Sequence, residues 1–429
     1  MLGITGFIEA ANGKVLRASS WSRFLEIAGR ASGFSLPEAR QALDNGVSEL
    51  VVSPLPAGAG ATATIAVAAD PSKFPSGSTG EKFGATFVAR VPGPWANGIT
   101  LKIEYRNNID KSVSFDVEVT HPASGATEVL RNINSASLTS TLDTSSLVRV
   151  DTTKGVGWPL AGTYTLAGGK DASPDDYATA LGRLRNEPDV DMVLAAVQDF
   201  TDLAKVTKIH GDVISHCNLM AGESKGRIGF GQVAPAGTVA ENTQLATNLV
   251  SDRFVLVAPH GTVGAVAGLV GSLPSHHSPT FKRVAGLDEK TLSVEDQKSL
   301  LRGNVVPVVT ERGRGTIVVR GLTTDGDQIN VRRVADRAVR TLKMVGELFI
   351  GLLNNADGRS ALKQKLVEAL VQMQKDGAIV PSTDGKDPAF KVEVYSSQQD
   401  FAQGIVRVNM AVRPVRAIDY IYATITVQV

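Results

Sequence analysis

Three residue types that can form a nucleophilic triad occur together in one short segment. Asp212, Ser215 and His216 lie within five consecutive residues. In a triad, the histidine takes the serine proton, and a separate donor stabilises the oxyanion. Adjacent residues on a helix point about 100° apart, so His216 is poorly placed to deprotonate Ser215. The segment therefore favours surface, turn or capping roles over hydrolysis.

A second serine has the spacing of a nucleophile elbow. Residues 222–226 read GESKG and match G-x-S-x-G around Ser224. A nucleophile elbow runs from a strand into a helix, whereas the local pattern predicts a helix before this segment and a strand after it. We interpret the match as chance, so no catalytic residue is predicted.

Metal, thiol and phosphate chemistry have weaker signals. His260, His276 and His277 lack the HExxH spacing and have no clustered carboxylates beside them, which favours a loop over a metal site. Cys217, the single cysteine, lies in a largely apolar helix without a neighbouring cation, which predicts a buried, inert thiol and excludes an internal disulfide framework. The glycine-rich segments do not match a phosphate-binding loop. We therefore expect no cofactor and no metal.

Length and composition exclude several classes of protein. A chain of 429 residues exceeds the ~100–200 residues of one ordinary domain, so we expect two or three packed units. With 43% apolar and 20% charged residues, the chain is not disordered, collagenous or coiled-coil. The 44 basic and 43 acidic residues give a net charge of +1, which makes nucleic-acid binding a poor hypothesis. The longest apolar stretch, 262–273, is about half of the ~20 residues that span a bilayer.

Changes in hydrophobic period divide the chain into units. Residues 15–60 predict two helices and a strand, and residues 161–303 alternate strands with helices, which favours one mostly parallel sheet covered on both faces. Between them, residues 61–160 show short alternating runs separated by turn residues, which predicts an inserted β-sandwich. Residues 304–429 predict strands, two long helices and closing strands, an α+β unit. The fold class is therefore multidomain α/β and α+β.

The predicted C-terminal unit carries a basic helix. Over residues 301–429 there are 18 Lys or Arg and 13 Asp or Glu. From Val331, the helix places Arg333, Arg337 and Arg340 at i, i+4 and i+7 on one face, with Lys343 beside them. Such a stripe is either a solvated helix face or a docking surface for an acidic protein.

The last ten residues of the sequence, 420–429, are β-branched and aromatic without a charge. Such a segment is either an interior strand of its own domain or a strand given to a neighbour by edge addition. Residues 2–8 are similarly apolar. Free β-prone ends are typical of a self-assembling subunit.

Five ordered motifs resemble those of one family. The opening 16–52 contains W-x-x-F and ends in Asn-Gly before a strand. The segment 91–99, VPGPWANGI, is similar to the family's P-G-x-W-G-N-x-L, with alanine in place of its second glycine. The third motif, at 166–177, contains LAGG followed by Asp-Tyr. The fourth, at 315–333, contains G-x-x-V-x-R-G-x-T and then INVRR, and the fifth, at 408–421, reads VNMAVRPVRAIDYI. The chain resembles the contractile tail sheath proteins of tailed phages and related contractile injection systems over nearly all its length.

The resemblance implies an architecture and a function. It implies a central subtilisin-like α/β domain, an inserted outer β-sandwich domain, a C-terminal inner domain with a terminal strand, and an N-terminal arm at 1–14. It also implies a non-enzymatic subunit of the virion tail, assembled in the host cytoplasm, that polymerises as a helical sleeve of stacked rings and contracts to drive the inner tube through the target envelope. The alternatives are an α/β hydrolase-like enzyme, another self-associating scaffold, or the sheath of a bacterial injection system rather than a phage.

The resemblance also implies partners and sites. The partners are further copies of the chain, the inner tail tube protein, and the baseplate and tail terminator proteins, with no direct nucleic-acid contact and no membrane insertion. Side chains expected to face the tube are Arg333, Arg337, Arg340 and Lys343. Side chains expected in an inter-subunit strand are Tyr420, Tyr422, Thr424, Thr426 and Gln428.

Overall fold

The computed structural model describes residues 1–10, 13–74, 83–107 and 113–420. The strands there are β1 (Leu2–Gly6), β2 (Leu16–Ala18), β3 (Leu50–Pro54), β4 (Thr64–Val67), β5 (Ala85–Ala89), β6 (Thr100–Asn107), β7 (Val113–His121), β8 (Ala126–Ile133), β9 (Val148–Val150), β10 (Gly162–Thr165), β11 (Met192–Ala195), β12 (Ile228–Gln232), β13 (Phe254–Ala258), β14 (Val306–Glu311), β15 (Gly315–Val318), β16 (Phe390–Tyr395) and β17 (Arg407–Val412). The helices are α1 (Trp21–Ala28), α2 (Ser32–Ser35), α3 (Pro37–Asp44), α4 (Leu138–Leu142), α5 (Pro174–Leu184), α6 (Leu203–Gly222), α7 (Val239–Asn248), α8 (Val263–Ser272), α9 (Val294–Arg302), α10 (Ile329–Glu347), α11 (Ala356–Lys375) and α12 (Gln398–Ala402).

An eight-stranded sheet in the order β15-β14-β13-β12-β11-β1-β3-β2 forms the centre of the molecule. Its inner strands, from β14 to β3, are parallel, and β15 and β2 pair antiparallel at the two edges. One face packs against α1, α3 and α8, and the other against α5, α6, α7 and α9. A sheet buried on both faces requires continuous apolar strands, which is why the strands lack polar alternation. The predicted mostly parallel sheet is confirmed.

Two glycines let α8 approach α3 closely. A Cβ at Gly264 would lie 2.6 Å from the carbonyl oxygen of Glu38, and a Cβ at Gly268 would lie 2.5 Å from that of Ala42. Such distances are far below van der Waals contact, so a side chain at either position would separate the two helices. The apolar stretch 262–273 therefore forms a buried helix. Within the described ranges, no helix is both long and apolar enough to cross a membrane.

The N-terminal residues occupy the middle of the sheet. Strand β1 pairs in parallel with β3 on one side and with β11 on the other, and all five of its residues are buried. The prediction of an arm at 1–14 is wrong for this segment, because its backbone groups and apolar side chains are satisfied within the chain's own sheet. Its β-prone composition reflects central pairing.

The region between β3 and α5 forms a separate β-rich unit. A four-stranded antiparallel sheet, β10-β6-β7-β8, and a three-stranded one, β4-β5-β9, enclose one apolar core that includes Phe87, Leu101 and Phe115. Period-two burial along β5 and β7 explains the alternating pattern of the sequence. Strand β10 extends this unit slightly beyond the predicted end at residue 160.

The C-terminal unit begins later than residue 304. Strands β14 and β15 belong to the central sheet, so the predicted boundary there is wrong. The separate core is formed by α10, α11 and the antiparallel pair β16–β17, with Val334, Leu366 and Val392 among its buried residues. The continuous apolar run of β14 suits a covered interior strand, and the change to amphipathic helices at α10 marks the new unit.

Candidate functional site

The residues that suggested a triad do not form one. Ser215 is exposed on α6, and His216 is buried on another side of the same helix. The Nε2 atom of His216 accepts a hydrogen bond from Nη1 of Arg227 at 2.8 Å. This proton-accepting atom is thus already occupied by Arg227. Ser224 lies in the turn between α6 and β12, with φ of 61°, so the strand-to-helix geometry of an elbow is absent at this position.

His216 is part of a buried hydrogen-bonding arrangement around Arg227. The Arg227 side chain is fully buried and also donates to the carbonyl oxygens of Leu184, at 2.9 Å, and Glu187. Burial lowers the pKa of Arg227 to about 10. Burial also lowers the pKa of His216 to about 4, and the positive charges of Arg227 and Arg185 contribute to this shift. A cation bound by carbonyls and a neutral imidazole fixes the start of β12 against the end of α5. This role is structural.

The buried histidines predict a loss of stability in mild acid. Burial lowers the pKa of both His210 and His216 to about 4, whereas an unfolded histidine titrates near 6.5. Between these two pH values the unfolded chain binds more protons than the folded chain. The stability that the neutral rings contribute is therefore fully present above pH 6.5 and is lost as the pH falls towards 4. We expect each histidine to cost up to about 2 kcal/mol at pH 5 relative to pH 7. Thermal unfolding at the two pH values measures this.

His210→Leu should flatten that pH dependence, because its ring is buried beside Phe254 and neither ring nitrogen has a partner within the described residues. His277→Gln is the matched control, since its side chain is exposed. An equal pH dependence in both variants would contradict the assignment.

The other candidate metal and thiol residues are dispersed. Nδ1 of His260 donates to the carbonyl oxygen of Val233 at 3.0 Å. The rings of His276 and His277 contact each other, with centroids 4.5 Å apart, in the loop after α8. Among the described residues, no three His, Cys, Asp or Glu side chains are arranged to hold a metal ion. Cys217 is buried as expected, and burial raises its pKa to about 12.

The basic stripe of α10 contacts the chain itself. Arg333 donates to the carbonyl oxygens of Leu273 and Pro274, and Arg337 donates to the carboxylate of Asp376. Arg340 donates to the Asp191 carboxylate and to the Gly226 carbonyl oxygen. Lys343 donates to the Glu223 carbonyl oxygen. Burial lowers the pKa of Arg333 to about 10. These intramolecular acceptors join α10 to the end of α11 and to segments that flank strands and helices of the central sheet. Tube contact by the same side chains stays a prediction.

A buried ion pair strengthens this joint. Arg253, at the start of β13, donates through Nη1 and Nη2 to the two carboxylate oxygens of Asp336 on α10, both at 2.8 Å. The two side chains are 8% and 7% exposed. A Cβ at Gly226 would lie 2.4 Å from a carboxylate oxygen of Asp336, so glycine is needed for this approach. The bidentate geometry makes the orientation of α10 specific.

The segment after β17 is held against the start of α10. Asp419 accepts from Nε of Arg320 at 2.8 Å and from Nε2 of Gln328 at 2.6 Å. Gln328 also accepts from the backbone N–H of Ala417, and Asn330 donates to the carbonyl oxygen of Val415. The residues of two sequence motifs, 315–333 and 408–421, thus bind each other. These contacts direct the chain to the surface at Tyr420, which is 59% exposed.

The predicted inter-subunit strand is only partly within the described residues. Tyr420 is described, and the guanidinium of Arg320 lies 5.3 Å from the centre of its ring. Tyr422, Thr424, Thr426 and Gln428 lie outside the described residues. Within the described chain, β16 and β17 form a sheet of two strands only, so each has an outer edge available for pairing. Sequence periodicity predicted these strands but not their unpaired edges.

Two other motifs also bind each other. The Asn97 side chain exchanges hydrogen bonds with the backbone of Gly169, 2.9 Å to its carbonyl oxygen and 2.8 Å from its N–H. A Cβ at Gly169 would lie 2.4 Å from the carbonyl oxygen of Gly93. The Trp95 indole N–H donates to the Val91 carbonyl oxygen at 3.1 Å. The motifs at 91–99 and 166–177 thus form the junction between the insertion and the central sheet.

Comparison with known proteins agrees with this architecture. Residues 323–428 match the family model of the phage tail sheath C-terminal domain. The fold is similar to a sheath tail protein from Listeria innocua, with 18% identity and a TM-score of 0.54 over 97% of this chain and 92% of that one. It is also similar to the contracted helical sheath of the anti-feeding prophage, with 13% identity and a TM-score of 0.56 over 99% of this chain and 92% of that one. A third similar structure is the contracted PVC sheath complex of an extracellular contractile injection system, with 12% identity and a TM-score of 0.57 over 99% of this chain and 91% of that one. No curated protein sequence matches the chain significantly.

The fold is therefore that of the tail sheath class, found in phage and contractile injection systems alike. At the level of sequence, residues 323–428 are similar to the phage tail sheath C-terminal domain. The predicted resemblance and the mixed α/β and α+β fold class are confirmed. Sequence reasoning missed the hydrogen bonds that Asp419 accepts, the Arg253–Asp336 pair and the burial of Glu38, whose side chain is 7% exposed, because each depends on residues distant in sequence.

Proposed function

We propose that this chain is a non-enzymatic structural subunit of a contractile tail sheath. It polymerises as a helical sleeve around an inner tube and contracts to drive that tube through a target cell envelope. The observation that carries the proposal is the match of residues 323–428 to the sheath C-terminal domain, within a chain whose fold is similar to sheath structures along nearly all its length. A repeated heterologous contact that does not close generates such a helix.

The proposed links between subunits are strands. A two-stranded sheet is at most marginally stable alone, and β16–β17 presents unpaired edges. The segment 421–429 follows directly after the anchored residues 413–420 and has the composition of a strand. Addition of this segment to the β16–β17 sheet of a neighbouring copy would satisfy edge groups on both partners. The residues Tyr420, Tyr422, Thr424, Thr426 and Gln428 would then lie on one face of the added strand.

The remaining partners and positions follow from the sheath role. The unit of α10, α11, β16 and β17 faces the tube protein, the β-rich insertion lies outside, and the ends of the sleeve meet the baseplate and terminator proteins. The particle is a phage tail assembled in the host cytoplasm, with an injection-system tail as the alternative. Contraction is driven by better packing between subunits in the shorter form, released from a kinetically trapped extended form.

Negative-stain electron microscopy of the purified chain tests this function. Across a range of salt and protein concentrations, we expect long hollow helical tubes, because subunit contacts form without a template. The double variant Ser215→Ala with Ser224→Ala should form the same tubes, since a structural subunit needs no serine nucleophile. Monodisperse small particles under every condition, also after an inner tube protein is added, would contradict the proposal.

A further inference from the structure

A cavity of about 390 Å³ lies between the central sheet and the β-rich insertion. Gln198, Gln232 and His260 line it, and they lie at or just beyond the carboxyl ends of β11, β12 and β13. In open α/β sheets, ligands bind in the crevice beyond the carboxyl ends of the parallel strands, where the crossovers change face. Here the crossover after β1 uses α3 on one face, and the crossover after β11 uses α6 on the other. The cavity therefore has the position of a ligand site.

One wall of this cavity is aromatic and fixed. The rings of Phe34 and Trp95 stack, with centroids 6.3 Å apart, and the His121 ring lies 5.5 and 5.7 Å from them. Both nitrogens of His121 have partners, Ser124 Oγ at 2.7 Å and the Trp95 carbonyl oxygen at 3.1 Å. Gln198 joins the two units, since its Oε1 accepts from the backbone N–H of Trp95 at 3.2 Å and its Nε2 donates to the Ser35 carbonyl oxygen at 2.8 Å. The wall is thus preformed.

A buried carboxyl group also lines this cavity. Glu38 is only 7% exposed, and among the described residues the one side chain that donates to its carboxyl group is Gln232, from Nε2 to Oε1 at a long 3.3 Å. Burial raises the pKa of Glu38 to about 7, and nearby Asp171 contributes in the same direction. Hydrogen bonds from the Glu38 backbone and the Gln232 amide act in the opposite direction, and no cation of the described residues is among the causes of the shift. A carboxyl group buried this deeply is costly when ionised without a cationic partner.

We propose that the cavity binds a planar organic cation of the guanidinium or amidinium class, with its N–H groups on Glu38 and its flat face against Phe34 and Trp95. A guanidinium presents paired donors that match a carboxylate, and it stacks on aromatic rings. The cation is either a free small molecule or the arginine side chain of a neighbouring subunit. The binding step itself does not depend on the proposed sheath function.

Titration of the full chain with agmatine and with benzamidine, followed by calorimetry and tryptophan fluorescence, tests the site. We expect saturable binding in the millimolar range or below, and at least tenfold weaker binding to Glu38→Gln. Glu241→Gln, which changes an exposed carboxylate in the same way, should bind like the unchanged chain. The fluorescence response should be lost in Trp95→Phe and retained in Trp158→Phe.

The pH dependence provides a measurement that needs no variant. Because only ionised Glu38 pairs with a cation, affinity should rise about tenfold from pH 6 to pH 8. Burial lowers the pKa of His260 and of His121 and raises that of Tyr177, so each shift favours the neutral form of the neighbour. Burial also raises the pKa of Asp171. A lack of saturable binding, a flat pH profile, or equal affinity for Glu38→Gln would overturn the proposal. Agmatine that also blocks tube formation would identify the occupant as a neighbour's arginine; tubes unaffected by bound agmatine would identify it as a free molecule.

Discussion

Removal of residues 421–429 is expected to abolish tube formation and to leave the subunit folded. The contacts that fasten the preceding segment, Asp419 with Arg320 and Gln328, end before the deletion. The shortened subunit therefore keeps the hydrogen bonds that stabilise its own fold. In contrast, the β16–β17 sheet of each neighbouring subunit loses the strand that we propose it pairs with. Circular dichroism and thermal unfolding should match those of the full chain. Electron microscopy and sedimentation should show small particles in place of tubes.

A pair of point variants separates strand pairing from mere bulk at this segment. Proline lacks the N–H that a ladder needs, so Thr424→Pro should prevent assembly, while Thr424→Val keeps a β-branched side chain and should assemble normally. Tubes of ordinary length from the deleted chain, or from Thr424→Pro, would show that the subunits are linked by other surfaces.

The sheet could be predicted from sequence because its signal is local. Continuous apolar runs such as β11 and β13 indicate strands covered on both faces, and the helices between them indicate parallel pairing. The order of the strands is a long-range property. Nothing in the residues 2–6 distinguishes a central strand from an exchanged one, since both need apolar, β-prone sequence. Pairing with β3 and β11, 48 and 190 residues away at Leu2, decides between them.

The partners of the basic stripe on α10 also depend on residues distant in sequence. Helical spacing correctly placed Arg333, Arg337 and Arg340 near one another, but it could not indicate what they face. Arg340 contacts Asp191, which is 149 residues away in sequence. The motifs at 91–99 and 166–177 are recognisable from their residues, but the sequence does not show why asparagine and glycine are needed there. The hydrogen bonds between Asn97 and Gly169 supply that reason.

Loss of the Asp336 carboxylate should destabilise the joint between α10 and the central sheet more than loss of any exposed ion pair. In Asp336→Ala, the Arg253 guanidinium would stay buried without its bidentate partner, which costs about 3–5 kcal/mol. Exposed pairs contribute about 0–1 kcal/mol, so Asp376→Ala, which removes the partner of Arg337, is the matched control. Thermal and denaturant unfolding of both variants measure the difference.

The double variant Arg253→Met with Asp336→Leu tests the cause of that loss. If the cost arises from an unpaired buried charge, replacement of both groups by apolar side chains should recover most of the stability. If it arises from the lost shape of the contact, the double variant should be as unstable as Asp336→Ala. Recovery of stability with impaired tube formation would show that the pair serves the orientation of α10. The orientation of α10 in turn sets where the edges of β16–β17 lie relative to the central sheet, and so how one subunit reaches the next.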